Sequence, residues 1–175
     1  MEWRDFMYGL PPEMSSQYPY FGKGKMTRLN LGAGLDVKPG FVNLDIRPLK
    51  GAVQCDVSSS LQMRRFRGCD EICAFDILEH FPREKSRKVL KMWVGLLRPG
   101  GVIRIRCPDL LHAVKVRLSD EWLELLLYGG QDYKENFHKT GYTMAMLVGI
   151  LIDLDLKIIH EEYSDAGNLE IWAQK

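Results

Sequence analysis

The stretch Leu29-Asn30-Leu31-Gly32-Ala33-Gly34 decides how this chain is read. A short strand over 27–31 runs into a Gly-x-Gly turn, where the missing side chains let the backbone approach a ligand closely at the carboxyl edge of a sheet. The third glycine of the dinucleotide fingerprint is absent, since Leu35, Asp36 and Val37 follow instead. Only eight residues separate Gly32 from the next strand at Phe41, fewer than the about 10 to 12 that a crossover with a helix needs. The usual first helix is therefore shortened or lost. A helix N-terminus is the best pyrophosphate site, so its loss argues against a dinucleotide and for a ligand without phosphate.

Outward from this turn, runs rich in apolar and β-branched residues recur at 41–46, 52–57, 71–75 and 102–107, each bounded by turn residues. Together with 27–31 they predict a mostly parallel sheet. The segment 83–97 places Val89, Leu90, Trp93, Leu96 and Leu97 on one face and Lys85, Arg87, Lys88 and Lys91 opposite, with Pro99-Gly100-Gly101 as its stop. This is an amphipathic helix covering one face of the sheet, and its basic side reads as solvated surface. Further helices are expected at 110–118, at 120–128 behind the N-cap Ser119, and at 143–152. Two last strands, 156–163 and 168–173, flank the turn Ser164-Asp165-Ala166-Gly167. The class is α/β: a Rossmann-like, mostly parallel sheet flanked by helices, with a shortened first crossover and a C-terminal antiparallel hairpin. Nicotinamide-binding sheets continue with strand-helix units and end without such a hairpin.

The chain has 175 residues, 46% of them apolar and 27% charged, which fits one soluble domain and excludes collagen-like, mucin-like or fully disordered readings. With 24 basic and 23 acidic residues the net charge is +1, so no large basic excess points to nucleic acid or an anionic membrane. The most apolar stretch, 142–156, is broken by Asp153 and Asp155 and is short of the ~20 residues that cross a bilayer. Glu2, Arg4 and Asp5 interrupt the first aromatics before a secretory signal can build, and the chain reads as cytoplasmic. Cys55, Cys69, Cys73 and Cys107 form neither a disulfide framework nor a zinc knuckle. In their apolar runs Cys55, Cys73 and Cys107 read as small buried hydrophobes. Residues 1–27 stand apart: Trp3, Phe6, Tyr8, Tyr18, Tyr20 and Phe21 lie among prolines and glycines without period. They read as an aromatic arm, either a lid over a ligand or a packing tail, and 28–175 as the one folded domain.

Two carboxylates end strands near the glycine turn. Asp45, closing the second strand, can accept both hydrogen bonds of a ribose diol. Asp56, closing the third, can accept from an exocyclic amine such as adenine N6, so one nucleoside would span the two. Taken singly, each reads equally as a turn cap.

The order of Leu29 to Gly34, Asp45, Asp56, Asp70-Glu71-Ile72 leading to Leu78-Glu79-His80-Phe81, and Leu97-Arg98-Pro99-Gly100-Gly101-Val102 resembles the class I S-adenosylmethionine-dependent methyltransferases. The short type-11-like branch is the nearest, through Pro39-Gly40-Phe41, Tyr128-Gly129-Gly130-Gln131 and Asn136-Phe137-His138-Lys139. The resemblance runs from about residue 28 to the end. It implies that Asn30, Gly32, Ala33 and Gly34 border the methionine part of S-adenosylmethionine, Asp45 and Ile46 the ribose, and Asp56 with Val57 the adenine. Phe75, Asp76, Ile77 and His80 would form the floor beside the sulfonium methyl. The family's common acidic residue two before the first glycine is Asn30 here, which replaces a charge contact to the cofactor's ammonium group by a neutral hydrogen bond.

Methyl transfer from a sulfonium needs alignment and exclusion of water, and a general base only where the acceptor is a hydroxyl. His138, in the glycine-rich loop, is the favoured base; His80, after the fourth strand, and the neighbourhood of Asp109 and His112 are the other candidates, and each histidine also reads as a loop residue fixing backbone carbonyls. His160, in a terminal strand, reads as structural. Asp76, Glu79 and His80 share helical spacing, as do Asp109 and His112, but these are ordinary cap and turn residues and no metal is assigned. The expected acceptor is a small molecule, a sugar or a glycan precursor, methylated at oxygen. Three alternatives stay open: a non-catalytic S-adenosylmethionine-binding partner subunit, an NAD(P)-dependent oxidoreductase, and a nucleic-acid methyltransferase binding through Arg64 to Arg67 and the basic helix, which the near-neutral charge disfavours. With one domain used by the cofactor, acceptor specificity falls to the arm, the loop 129–138, or a second subunit in a homodimer.

Overall fold

The chain enters its sheet at β1 (Arg28–Leu31), reaches β2 (Val42–Asp45) and β3 (Val53–Gln54) through turns alone, and passes a short α1 (Ser60–Met63) into β4 (Cys69–Phe75). The long α2 (Arg83–Leu96) leads to β5 (Leu97–Pro108), followed by α3 (Leu110–Ala113), α4 (Asp120–Tyr128), α5 (Met144–Ile152) and the hairpin β6 (Lys157–Tyr163) and β7 (Asn168–Gln174). This computed structural model describes residues 26–116 and 118–175. The aromatic arm expected over 1–27 lies, except for its last two positions, outside the described residues.

The seven strands form one sheet in the order β3-β2-β1-β4-β5-β7-β6. The first five pair in parallel, and β7 alone runs against its neighbours. The central strands are covered on both faces: all of β2 is buried, its polar Asn43 and Asp45 included, as are Leu29, Asn30 and Leu31 of β1 and the apolar run Ile72, Cys73 and Ala74 of β4. By contrast β7 alternates buried and half-buried positions, and the edge strand β6 is exposed and charged at Glu161 and Glu162, which discourages pairing with another sheet. All four cysteines are free and buried. No helix among the described residues is long and apolar enough to cross a membrane.

The expected first helix is indeed missing, as the spacing indicated. Three boundaries differ from expectation. β3 stops at Gln54, so Cys55 and Asp56 belong to the turn beyond it, although Cys55 N still donates to Asp45 O at 2.7 Å. Pro99-Gly100-Gly101 does not precede the fifth strand but lies inside it. Gly100 has φ +78°, and the register shifts between Cys69 and Glu71 opposite, so a bulge accommodates residues that otherwise punctuate. The helix expected at 110–118 ends at Ala113, and Val114 beyond it is 64% exposed.

The basic face of α2 is solvated as expected, and its other face buries Val89, Leu90, Trp93 and Leu96. Trp93 is fully buried and its Nε1 donates to Val57 O at 2.8 Å, fastening the turn after β3 to the helix. Trp93→Phe keeps most of the apolar volume and strands that carbonyl. It is expected to cost about 1–3 kcal/mol, read as a lower urea midpoint at unchanged slope.

Candidate active site

Parallel pairing brings the carboxyl ends of β1, β2, β4 and β5 to one edge, and the antiparallel β7 adds its first residue, Asn168, opposite Pro108. A cavity of about 590 Å³ opens there, within the range of small-molecule sites. Every residue expected at a cofactor, from Asn30 to His80, lines it, and so does His138.

The glycine turn forms one wall. Gly32 has φ +63° and Gly34 φ +53°, a region open to glycine at little cost. At Gly32 a Cβ would lie 2.6 Å from Ile77 Cδ1. Ala33 N donates to Leu44 O and Gly34 N to the Asp45 carboxylate, both at 2.8 Å, so the turn is folded onto the end of β2. Asp45 is buried and also accepts from Arg47 N at 2.9 Å and Arg47 Nε at 3.1 Å. Burial pushes its carboxyl up, but the hydrogen bonds from Arg47 and Gly34 outweigh this and hold it below the usual carboxylate range. The Arg47 guanidinium stacks 4.2 Å from the Tyr133 ring, linking β2 to the loop after α4.

Asn30 spends its amide nitrogen within the same wall, donating to Asp36 O at 2.8 Å and Asn43 Oδ1 at 2.9 Å. That fixes the amide orientation and leaves its oxygen as the end that can accept from a ligand. Asp56 Oδ1 takes both the backbone and hydroxyl donors of Ser58. Asp76 sits at φ +52° and ion-pairs with Arg106, whose guanidinium lies 4.7 Å from the Phe75 ring. Such backbone outliers in side chains other than glycine cluster at functional sites.

Glu79, His80 and His138 form a cluster on the cavity lining. Backbone pairing makes it: Lys139 N and Thr140 N donate to Glu79 O at 2.8 and 3.1 Å, and His138 N donates to Tyr128 O at 3.0 Å. The neighbouring Gly129, at φ +80°, admits Asn136 O where a Cβ would meet it at 2.7 Å. The two imidazoles meet edge to face at 4.8 Å. Glu79 is 2% exposed and neither of its carboxyl oxygens has a hydrogen-bond partner; nor has His80 Nδ1. Burial pushes the Glu79 carboxyl well above the usual range, with the Asp76 charge adding to it, and pushes both imidazoles below theirs. Leaving such groups unpaired costs about 1–3 kcal/mol each, a cost that folds tolerate mostly where the groups act.

The third catalytic candidate is a correction. Asp109 does not line the cavity. It is buried, one oxygen caps α3 through Leu111 N and His112 N, and the other accepts from Met144 N at 2.6 Å. Its carboxylate joins two helix ends. His112 faces the hairpin turn, with Nε2 3.0 Å from Ser164 O, and His160 lies against Trp172. Sequence reasoning also passed over Arg47, Tyr133 and Trp122, which line the cavity, and read Glu79 as a turn residue. None of these carries a local signal.

No family model and no curated protein matches the sequence. Solved structures do. A SAM-dependent methyltransferase from Archaeoglobus fulgidus superposes with a TM-score of 0.60 at 17% identity, over 98% of this chain and 94% of that one. The fold is that of the class I methyltransferases. An O-methyltransferase family protein from Burkholderia thailandensis matches 99% of this chain with a TM-score of 0.57 and 16% identity, and this chain spans 58% of its length. From the same organism, 1,6-didemethyltoxoflavin-N1-methyltransferase, with its acceptor and S-adenosylhomocysteine bound, gives 0.57 and 15% over 85% of this chain and 70% of that one. The methyltransferase fold thus arrives with its strand order and its reversed seventh strand intact, while its first crossover is reduced to turns.

Proposed function

We propose that the protein is an S-adenosylmethionine-dependent methyltransferase acting on a small acceptor. The observation that carries this is the glycine turn folded onto the Asp45 carboxylate at the mouth of a 590 Å³ cavity, in a methyltransferase fold. The residues fit the cofactor: a cradle that a Cβ at Gly32 would fill, a buried carboxylate for a ribose diol, and a free amide oxygen on Asn30 for an ammonium. A solved neighbour with S-adenosylhomocysteine bound supports the same choice.

Bound there, S-adenosylmethionine supplies an electrophilic methyl carbon on a sulfonium. The chain's own residues do the rest. Asp45 and Asp56 hold the nucleoside, Gly32 to Gly34 the amino-acid tail, and Phe75 to His80 the floor. Opposite them, Trp122, Leu125 and Leu126 of α4 give an apolar wall that orients the acceptor and excludes water. His138 Nδ1 lies 2.9 Å from Leu126 O. A carbonyl only accepts, so Nδ1 carries the proton and Nε2 offers a lone pair. That lone pair, beside His80, suits deprotonation of an acceptor hydroxyl, which favours O-methylation of a sugar, glycan precursor or small metabolite.

Calorimetry with S-adenosylhomocysteine tests the core of this reading. One-to-one binding in the micromolar range is expected, and absence of binding at millimolar ligand overturns it.

A further inference from the structure

We propose that Glu79, His80 and His138 hold one divalent first-row transition ion at the acceptor end of the cavity. The ligand-bearing atoms of the three residues lie within 4.8 Å of one another, with His138 Nε2 4.0 Å from Glu79 Oε1. An ion about 2.1 Å from each ligand in tetrahedral geometry asks for roughly 3.4 Å between ligand atoms, a contraction that modest side-chain rotation supplies.

Three further features point the same way. Both carboxyl oxygens of Glu79 and Nδ1 of His80 are buried and have no hydrogen-bond partner, so the donors an ion needs are unspent. The His138 imidazole is oriented through backbone on its other side, with Nδ1 at Leu126 O. Metal-bound histidines are held in this way, which fixes the tautomer and aims the lone pair. Two imidazoles and one carboxylate also leave coordination positions open toward the cavity. This is the donor set of catalytic ions, whereas structural sites close with four protein ligands. Asp76, which sequence spacing grouped with Glu79 and His80, is engaged with Arg106, and Asp109, spaced with His112, with two helix ends.

The ion deepens the proposed function and rests on it for its role. An acceptor oxygen bound at an open position has its hydroxyl pKa lowered, as for metal-bound water. The proton then leaves to solvent, and His138 Nε2 serves as ligand rather than base. Magnesium, which favours oxygen ligands, fits this nitrogen-containing set poorly.

The test uses the full chain, stripped with a chelator, dialysed and titrated with Co²⁺ while the visible absorption is followed. One Co²⁺ per chain is expected, with absorption bands of a low-coordinate site that Zn²⁺ displaces. His138→Ala and the isosteric Glu79→Gln should weaken uptake by about 10- to 100-fold or more, and each variant's near-ultraviolet circular dichroism reports whether it folds. His160→Ala, on the outer strand, should leave uptake unchanged. No saturable uptake, or equal uptake by folded His138→Ala and Glu79→Gln, overturns the site. Calorimetry of the same stripped protein with S-adenosylhomocysteine keeps the two readings apart. Binding of that ligand without Co²⁺ uptake overturns the ion alone, and Co²⁺ uptake without it upholds the site and overturns the methyltransferase reading.

Discussion

Asp45→Ala is expected to weaken S-adenosylhomocysteine binding by about 30- to 100-fold, measured by calorimetry on folded protein. A hydrogen bond to a charged group contributes about 1.5–3 kcal/mol, and ribose hydroxyls can donate to this carboxylate as the Arg47 guanidinium, which competes for both of its oxygens, gives way. The side chain also organises the cradle, since its oxygens accept from Gly34 N and from Arg47. Asp45→Asn separates the two roles. An amide oxygen still accepts from Gly34 N but lacks the charge, so an intermediate loss of about tenfold is expected. Arg47→Ala removes the competing guanidinium and should leave affinity within about threefold of the parent. The charge itself is secure. Because the hydrogen bonds hold the Asp45 pKa below the usual carboxylate range, its contribution to folding is fully present above the unfolded-state value and lost only as pH falls through the lowered folded one. Unchanged affinity in Asp45→Ala would remove the nucleoside from this end of the cavity.

What could be read from the sequence was whatever short-range pattern dictates. Eight residues between Gly32 and Phe41 leave no room for a helix, and none forms. The stretch from Asn168 to Gln174 alternates, and it becomes the reversed strand β7, buried on one face. The glycine turn and the carboxylates after β2 and β3 converge because parallel strands must all end at the same edge.

Contacts made by long-range backbone pairing were hidden. Glu79 and His138 are 59 positions apart, and they meet because Lys139 N and Thr140 N find the Glu79 carbonyl. Nothing in Asn136-Phe137-His138 announces that partner. Asp109 misled for the opposite reason: a carboxylate beside a strand end and near a histidine resembles catalytic machinery, yet its oxygens accept from three backbone N–H groups and cap helices off the cavity lining. A strand-end carboxylate at a helix start therefore has two readings, and access to the cavity separates them. Glu79, with neither oxygen bonded, is on the lining, and Asp109 is not.

Gly32→Ala is expected to damage both stability and cofactor binding. Two independent costs meet there. At φ +63° an L side chain is strained by about 1–2 kcal/mol, and the new Cβ would lie 2.6, 2.8 and 3.1 Å from Cδ1, Cγ1 and Cβ of Ile77. Rotating χ1 of Ile77 moves the first two atoms but not its Cβ, so the strand ends themselves must part. A total of about 2–4 kcal/mol is expected, measured by urea unfolding, together with loss of detectable S-adenosylhomocysteine binding. Adding Ile77→Ala separates the causes. The crowding is relieved and the backbone strain is not, so the double variant should recover part of the stability beyond the sum of the single effects while binding stays weak. If the double variant recovers nothing, Ile77 is not what the methyl group meets. If Gly32→Ala alone unfolds and binds like the parent, the turn is not a cradle. The cofactor's amino-acid tail would then have to lie along the loop from Gly129 to His138, the other glycine-bearing wall of the cavity.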